Sequence, residues 1–338
     1  MSIRPADSPV ARAVIVAAVI AGLAAVLFAV TRDGEDETSA PGTALGSWGT
    51  LAPSPLARTE VGAARVGQRI YAVGGFLEGG STTGRMVAYD ILGDEWEEVA
   101  SLPIAVDHAG VAALDGSLYV LGGNLEPGGA EPKSRRLFRY DPGPDRWTEL
   151  QPAPTARAAL GLVAIGRNLY AAGGSSAEED RLRTLEIYDV QRDRWATAAP
   201  MPTGRNHVGA AVLDGELVVT GGRPGPEHGG LTTVESYDPV RDSWRKLPPL
   251  SVARSGHATV EAGGNLVAFG GEELDGGTTI AAVEALDPGE GSWTPLPDMV
   301  MPRHGLGGAA DGTRVYAIEG GPRPGLAFSG ALEFLDLR

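Results

Sequence analysis

The chain has 338 residues, 43 of them acidic against 28 basic for a net charge of −15, with 43% apolar and only 6% aromatic residues, 49 glycines, 25 prolines and no cysteine. A body of this size buries enough surface to fold without covalent staples, and the lack of cysteine excludes disulfide frameworks, thiolate metal sites and cysteine nucleophiles. The acidic balance argues against a nucleic-acid partner, whose phosphates are held by clustered Lys and Arg, and the glycine and proline load points to many turns between short strands.

Residues 1–12 carry Arg4 and Arg12 and are followed by an uncharged apolar run over residues 13–30. As a helix at about 1.5 Å per residue this run spans roughly the thickness of a hydrocarbon core. With Asp33, Glu35, Asp36 and Glu37 just beyond it, the positive-inside bias keeps the amino terminus cytoplasmic and exports the rest. The expectation is a single-pass signal-anchor in the cell membrane. Its rival, a cleaved signal peptide, fits less well, because the run is long for such a segment and has no A-x-A pair at its end. Residues 31–46, acidic and rich in small residues, read as a flexible stalk.

From residue 47 onward a repeat of about fifty residues is marked three times over. Glycine pairs fall at Gly74-Gly75, Gly122-Gly123, Gly173-Gly174, Gly221-Gly222, Gly270-Gly271 and Gly320-Gly321. All the tryptophans keep the same beat, at Trp48, Trp96, Trp147, Trp195, Trp244 and Trp293. Between them lie Tyr89-Asp90, Tyr140-Asp141, Tyr188-Asp189 and Tyr237-Asp238, with Leu286-Asp287 and Leu335-Asp336 as weaker copies. Each unit reads as four short strands, a to d, with strand b ending at the glycine pair, strand c at Tyr-Asp and strand d starting at the tryptophan. Turn pairs such as Asp115-Gly116 suit the a–b hairpin. One such sheet cannot bury both apolar faces alone, so the units stack around an axis.

Gly-Gly, Tyr-Asp and Trp in this order resemble the kelch repeat over residues 47–338. The resemblance implies an all-β, six-bladed kelch β-propeller preceded by one transmembrane helix. Because Trp48 precedes the first glycine pair and no tryptophan follows Leu335-Asp336, the strand around Trp48 is expected to complete the last blade and remove its open edge.

Sixteen residues before the first glycine of each pair stand Arg58, Val106, Arg157, Arg205 and Arg254, and seventeen before the last pair stands Arg303. The resemblance places strand a innermost, so these residues are expected to ring the mouth of the central channel. Kelch domains of ubiquitin-ligase adaptors hold acidic peptides with arginines at this position, and a bidentate guanidinium suits carboxylates. The candidate binding residues are therefore Arg58, Arg157, Arg205, Arg254 and Arg303, with His108 and His207 two residues beyond the ring position. A second reading has the arginines knitting blades together through Glu186, Glu235, Glu284 and Glu333. The remaining histidines are His228, His257 and His304; about three convergent ligands are needed for a metal site, and neither metal nor cofactor is expected. Copper oxidases of kelch type need a Tyr–Cys cross-link, which this chain cannot form, and no hydrolase elbow, P-loop, H-E-x-x-H or EF-hand pattern occurs. The expected role is an extracytoplasmic scaffold binding a protein, a peptide or an anionic small molecule. The alternative is a carbohydrate-acting enzyme, such as an epimerase or mutarotase of sialic acid-type sugars.

Overall fold

The computed structural model describes residues 46–126, 132–225, 229–273, 277–289 and 291–337. All of these belong to one compact unit, Ala44–Arg338. The expected cytoplasmic segment, membrane helix and nearly all of the stalk lie outside the described residues, as does His228. Among the described residues no helix is long and apolar enough to cross a membrane.

The unit is a six-bladed β-propeller of four-stranded antiparallel sheets. Blade 1 runs from Gly62 to Val99, blade 2 from Gly110 to Leu150, blade 3 from Gly161 to Thr197, blade 4 from Gly209 to Lys246 and blade 5 from Ala258 to Leu296. Blade 6 takes strands a to c from Gly307 to Asp336, and its strand d is Trp48–Thr50, paired as Trp48↔Leu335, Gly49↔Phe334 and Thr50↔Glu333. The ring is thus closed by the amino-terminal strand, as the tryptophan count predicts. Strand a of every blade packs on strand a of the next, so these strands surround the axis.

Local sequence explains each element. The a–b hairpins turn on pairs such as Asp115 and Gly116, at φ 49° and 76°, and Asp214 and Gly215, at 51° and 77°, the double positive φ of a turn whose twist matches the strands. Strand b is buried on both faces between neighbouring blades and reads as an unbroken apolar run, Leu118–Leu121 or Leu169–Ala172, rather than an alternating one. Outer strand d, exposed on one side, carries the charges.

The repeat marks are inter-blade stitches. Every tryptophan donates its indole N–H to a carbonyl of the preceding blade's outer connection, from Trp96 to Ala52 at 2.8 Å round to Trp293 to Pro248 at 2.9 Å and Trp48 to Pro297 at 2.8 Å. In four blades the tyrosine hydroxyl donates to an aspartate five residues on, Tyr140 to Asp145 at 2.6 Å for example, and that carboxylate accepts the Ala100 amide at 2.8 Å. The two blades with leucine for tyrosine have Pro248 and Pro297 at the stitching position. Proline has no N–H to offer, so tyrosine and clamp are lost together.

Candidate functional site

The candidate arginines come first, because the structure moves them. Arg58, Arg157, Arg205, Arg254 and Arg303 are fully buried within the blades, not on the channel mouth. Their guanidinium groups bond the ends of strands b and c: Arg205 donates to the Gly221, Thr233 and Val219 carbonyls at 2.8, 2.6 and 3.2 Å. Each also meets a carboxylate, Arg157 with Glu186 at 2.7 Å, Arg205 with Glu235 and Arg254 with Glu284 at 3.0 Å, and Arg303 with Glu333 at 3.1 Å. These are the four glutamates that the second reading named. The physical reason is desolvation: a buried guanidinium needs acceptors and a counter-charge, and the blade supplies strand-end carbonyls and a glutamate.

Two blades depart from this pairing in an instructive way. Blade 2 has Val106 and Phe138 at the arginine and glutamate positions, so both charges are gone. Blade 1 keeps Arg58 but has Val87 where the glutamate would stand. Its partner is instead Glu319 of blade 6, bidentate through Nε to Oε2 at 2.7 Å and Nη2 to Oε1 at 2.8 Å. Glu319 occupies the place of a first glycine, at φ 54°. The Gly320 amide bonds the Arg58 carbonyl as Gly75 bonds that of Val106, so the structural pair in blade 6 is Glu319-Gly320 rather than Gly320-Gly321. The count back to Arg303 is then sixteen in this blade too.

What surrounds the channel mouth is the layer two residues beyond the arginines: Glu60, His108, Ala159, His207, Gly256 and Gly305. All six are left-handed, at φ 56°, 55°, 55°, 51°, 59° and 56°. They are joined into a closed ring of backbone hydrogen bonds, His108 N to Glu60 O, Ala159 N to His108 O and so on round to Gly305, closed by Val61 N to Gly305 O. Glycine takes this conformation freely, whereas other residues held there cost of order 1 kcal/mol or more each. Only three ring positions carry functional side chains, and these converge. Ligating atoms of Glu60, His108 and His207 lie within 4.8 Å of one another, and the His108 and His207 rings meet edge to face at 4.8 Å.

Neighbouring layers complete the site. The residue before each ring position bridges to the residue after the structural glycine pair, as in Asp107 with Asn124, Asn206 with Arg223, Ser255 with Glu272 and His304 with Gly321. These positions vary from blade to blade while the backbone does not. Asp107, fully buried, accepts from Asn124 Nδ2 at 2.7 Å and from Thr82 Oγ1 at 3.1 Å. His108 Nδ1 lies 2.6 Å from Asp107 Oδ1, and its Nε2 lies 3.0 Å from Glu60 Oε2. His207 Nδ1 lies 2.6 Å from Asn206 Oδ1, while its Nε2 accepts from Arg223 at 2.9 Å; Arg223 also meets Glu272 at 3.1 Å. His304 sets Nδ1 3.2 Å from Glu60 Oε1 and donates from Nε2 to the Arg323 and Gly325 carbonyls.

Burial opposes charge on all these groups, and partners decide which keep it. Glu60 is desolvated, yet His108 and His304 hold its carboxyl well below the usual range. Burial works against His304, but Glu60 and Glu272 outweigh it and push its pKa up to about 9. Against the same burial, Glu60 and Asp107 raise His108. Burial, Arg223 and His108 drive His207 well down, so it is neutral; burial pushes Glu272 up.

These residues border connected cavities of about 220 and 320 Å³ at the mouth, with Phe76, Leu326, Lys133, Ser175 and Asp180 on the walls. A larger cavity of about 580 Å³ lies between blades 5 and 6 at the other end of the strands, with only Asp287 and Asp336 as titratable lining. His257 is inside the propeller, bound to Thr220 at 2.9 Å, and takes no part. Of the predicted residues, the structure therefore brings His108 and His207 together. Glu60, Asp107, Arg223, Glu272 and His304 were missed, although the offset that singles out the two histidines also lands on Glu60.

Paired glycines ending strand b, Tyr-Asp ending strand c and a stitching tryptophan, arranged in a closed ring, define a kelch-repeat β-propeller. The chain belongs to the family described as the KLHDC2/KLHL20/DRC7 kelch-repeats domain, which matches residues 108–321, and a kelch motif matches residues 57–103. A solved structure described as "Structure of YjhT" is similar with a TM-score of 0.70 and 17% identity, over 82% of this chain and 95% of that one. At that identity the likeness is one of fold. No curated protein matches.

Proposed function

We propose that this propeller is a ligand-binding module that takes a small polar ligand with an anionic group at the channel mouth. The observation that carries the reading is the concentration of chemically different side chains in the three layers lining the mouth, on a backbone that repeats from blade to blade. Three ring positions hold Glu60, His108 and His207 in a conformation that glycine would adopt at less cost, and inference from such strain to function is reasonable where the surroundings enforce it. Arg223 and Lys133 supply cationic donors, Asn124 and Asn206 amides, and Phe76 and Leu326 an apolar wall, the mixture expected of a small-ligand pocket. The cavities suit a ligand of monosaccharide size better than a folded partner. Residues 13–30 would anchor the module in the membrane with the propeller outside, supported by their length, their apolarity and the flanking charges.

Calorimetric titration of the protein with acidic monosaccharides, from hexuronic to sialic acids, tests this. One ligand per chain is expected, with affinity falling by about tenfold or more in Arg223→Met, the loss of one charge-assisted hydrogen bond. No heat across the panel, or a variant that binds as well as the parent, would refute it. Asp107 and His108 favour the second reading, an isomerase of such sugars: a buried carboxylate orients an imidazole whose other nitrogen faces Glu60, as general acid–base work requires. NMR exchange between anomers or epimers, abolished in His108→Gly while binding persists, would identify it.

A further inference from the structure

We propose that Glu60, His108 and His207 form a binding site for one divalent transition-metal ion at the centre of the backbone ring. This stands on the ligand geometry and is independent of the organic ligand proposed above.

The first observation is convergence. One carboxylate oxygen and two imidazole nitrogens from three different blades approach within 4.8 Å, wider than the about 3.3 Å between ligands of one tetrahedral ion, so rotamer changes must close the set around it. The donors are two histidines and one carboxylate, a combination that holds Zn²⁺ at sites with an open position and suits Co²⁺ equally.

The second observation is that a side-chain oxygen already faces Nδ1 of each imidazole. Asp107 Oδ1, which also accepts from Asn124 Nδ2, accepts the His108 Nδ1–H, and Thr82 holds the other carboxylate oxygen. Asn206 donates its Nδ2 to the Asp180 carbonyl, which turns its Oδ1 toward His207 Nδ1. His207 Nε2 accepts from Arg223, so its lone pair is available and the guanidinium is the group an ion displaces. Nδ1 held by a carboxylate or amide oxygen with Nε2 directed at the ion is the outer-shell arrangement that ligating histidines need.

The third observation concerns what the ion would displace. His108 Nε2 and Glu60 Oε2 face each other at 3.0 Å, and the ion enters between them as any proton on that nitrogen leaves. Arg223 releases His207 and keeps Glu272, which it already contacts at 3.1 Å. Three carboxylates, Glu60, Asp107 and Glu272, offset Arg223 and His304 around the bound cation. The remaining coordination position opens into the mouth cavity.

The test uses the untagged full chain with Zn²⁺ alone and with Co²⁺ alone, followed by dialysis, metal analysis and calorimetry. One ion per chain is expected, and Co²⁺ should give the visible absorption of a four- or five-coordinate site. His108→Gly and His207→Gly should each abolish retention; both place glycine where blades 5 and 6 carry Gly256 and Gly305, so the ring backbone is kept. Asp107→Asn should weaken binding by about 10–100-fold, as loss of an outer-shell partner does. Failure to retain an ion, or retention in either glycine variant, would overturn the proposal.

Discussion

Glu319 is the residue whose removal best tests how the ring is held together. It and Arg58 are both fully buried, it accepts two hydrogen bonds from the guanidinium, and it takes a third from Ser54 at 2.7 Å. Glu319→Gln keeps the shape but leaves Arg58 charged, buried and without a counter-charge, a change that costs about 3–5 kcal/mol. One amide oxygen still accepts from Arg58, so the lower end, about 3 kcal/mol, is expected, and at about 2–4 °C per kcal/mol the midpoint falls by roughly 6–12 °C. The decisive comparison is with blade 2, where the chain itself dispenses with both charges through Val106, Phe138 and Gly74. The triple variant Arg58→Val, Val87→Phe, Glu319→Gly copies that arrangement into blade 1 and also relieves the left-handed strain at Glu319, of order 1 kcal/mol. It should be more stable than Glu319→Gln although it carries three changes. Urea denaturation of the residue 44–338 propeller, with thermal unfolding beside it, gives both values. If Glu319→Gln lies within about 0.5 kcal/mol of the parent, the range of an ordinary surface change, the account of the buried pair is wrong.

Three further outcomes follow from the same geometry. His257 is buried, and burial together with Arg254 and Arg205 holds its pKa well below the usual value. The unfolded chain gains a proton there near the ordinary pH of about 6.5 and the folded one does not, so stability is complete above that pH and falls by up to about 1.4 kcal/mol per unit below it; in His257→Gln the fall measured by thermal unfolding between neutral and mildly acid pH should be shallower, and parallel curves would contradict this. Asp193→Ala removes the acceptor shared by Tyr188 and the Gln151 amide and should lose about 2 kcal/mol in urea denaturation, whereas Gly291→Ala, at the same place in a blade without the clamp, should lose only about 1 kcal/mol for its positive φ. Trp48→Ala takes away a buried ring packed on Phe269 at 6.0 Å together with its bond to Pro297. It should cost about 3–5 kcal/mol and expose the Leu332–Asp336 strand to limited proteolysis; unchanged protease resistance would contradict the closure role.

Fold and closure were legible in the sequence because a repeat writes each structural requirement six times. A glycine needed for positive φ or an indole that stitches to the preceding blade recurs at a fixed interval, and its recurrence is visible without any coordinates. The offset of Trp48 from the first glycine pair even encoded which strand closes the ring. The same regularity misplaced the arginines. Their period marks them as part of the frame, but whether a guanidinium faces water or a neighbour's carboxylate depends on burial, which periodicity does not contain. Even the glycine pair of blade 6 was misread by one residue, since Glu319 replaces a glycine for the sake of Arg58, 261 positions away in the chain. The site followed the opposite rule. Glu60, His108, His207, Arg223, Glu272 and His304 differ between blades; the repeat offset reaches the first three, nothing marks the other three, and all become neighbours only when closure brings the blades around one axis. Sequence thus determined the frame, through local conformational demands repeated in register; tertiary structure alone decided the chemistry at its centre, because proximity there is created by the circle and not by the chain.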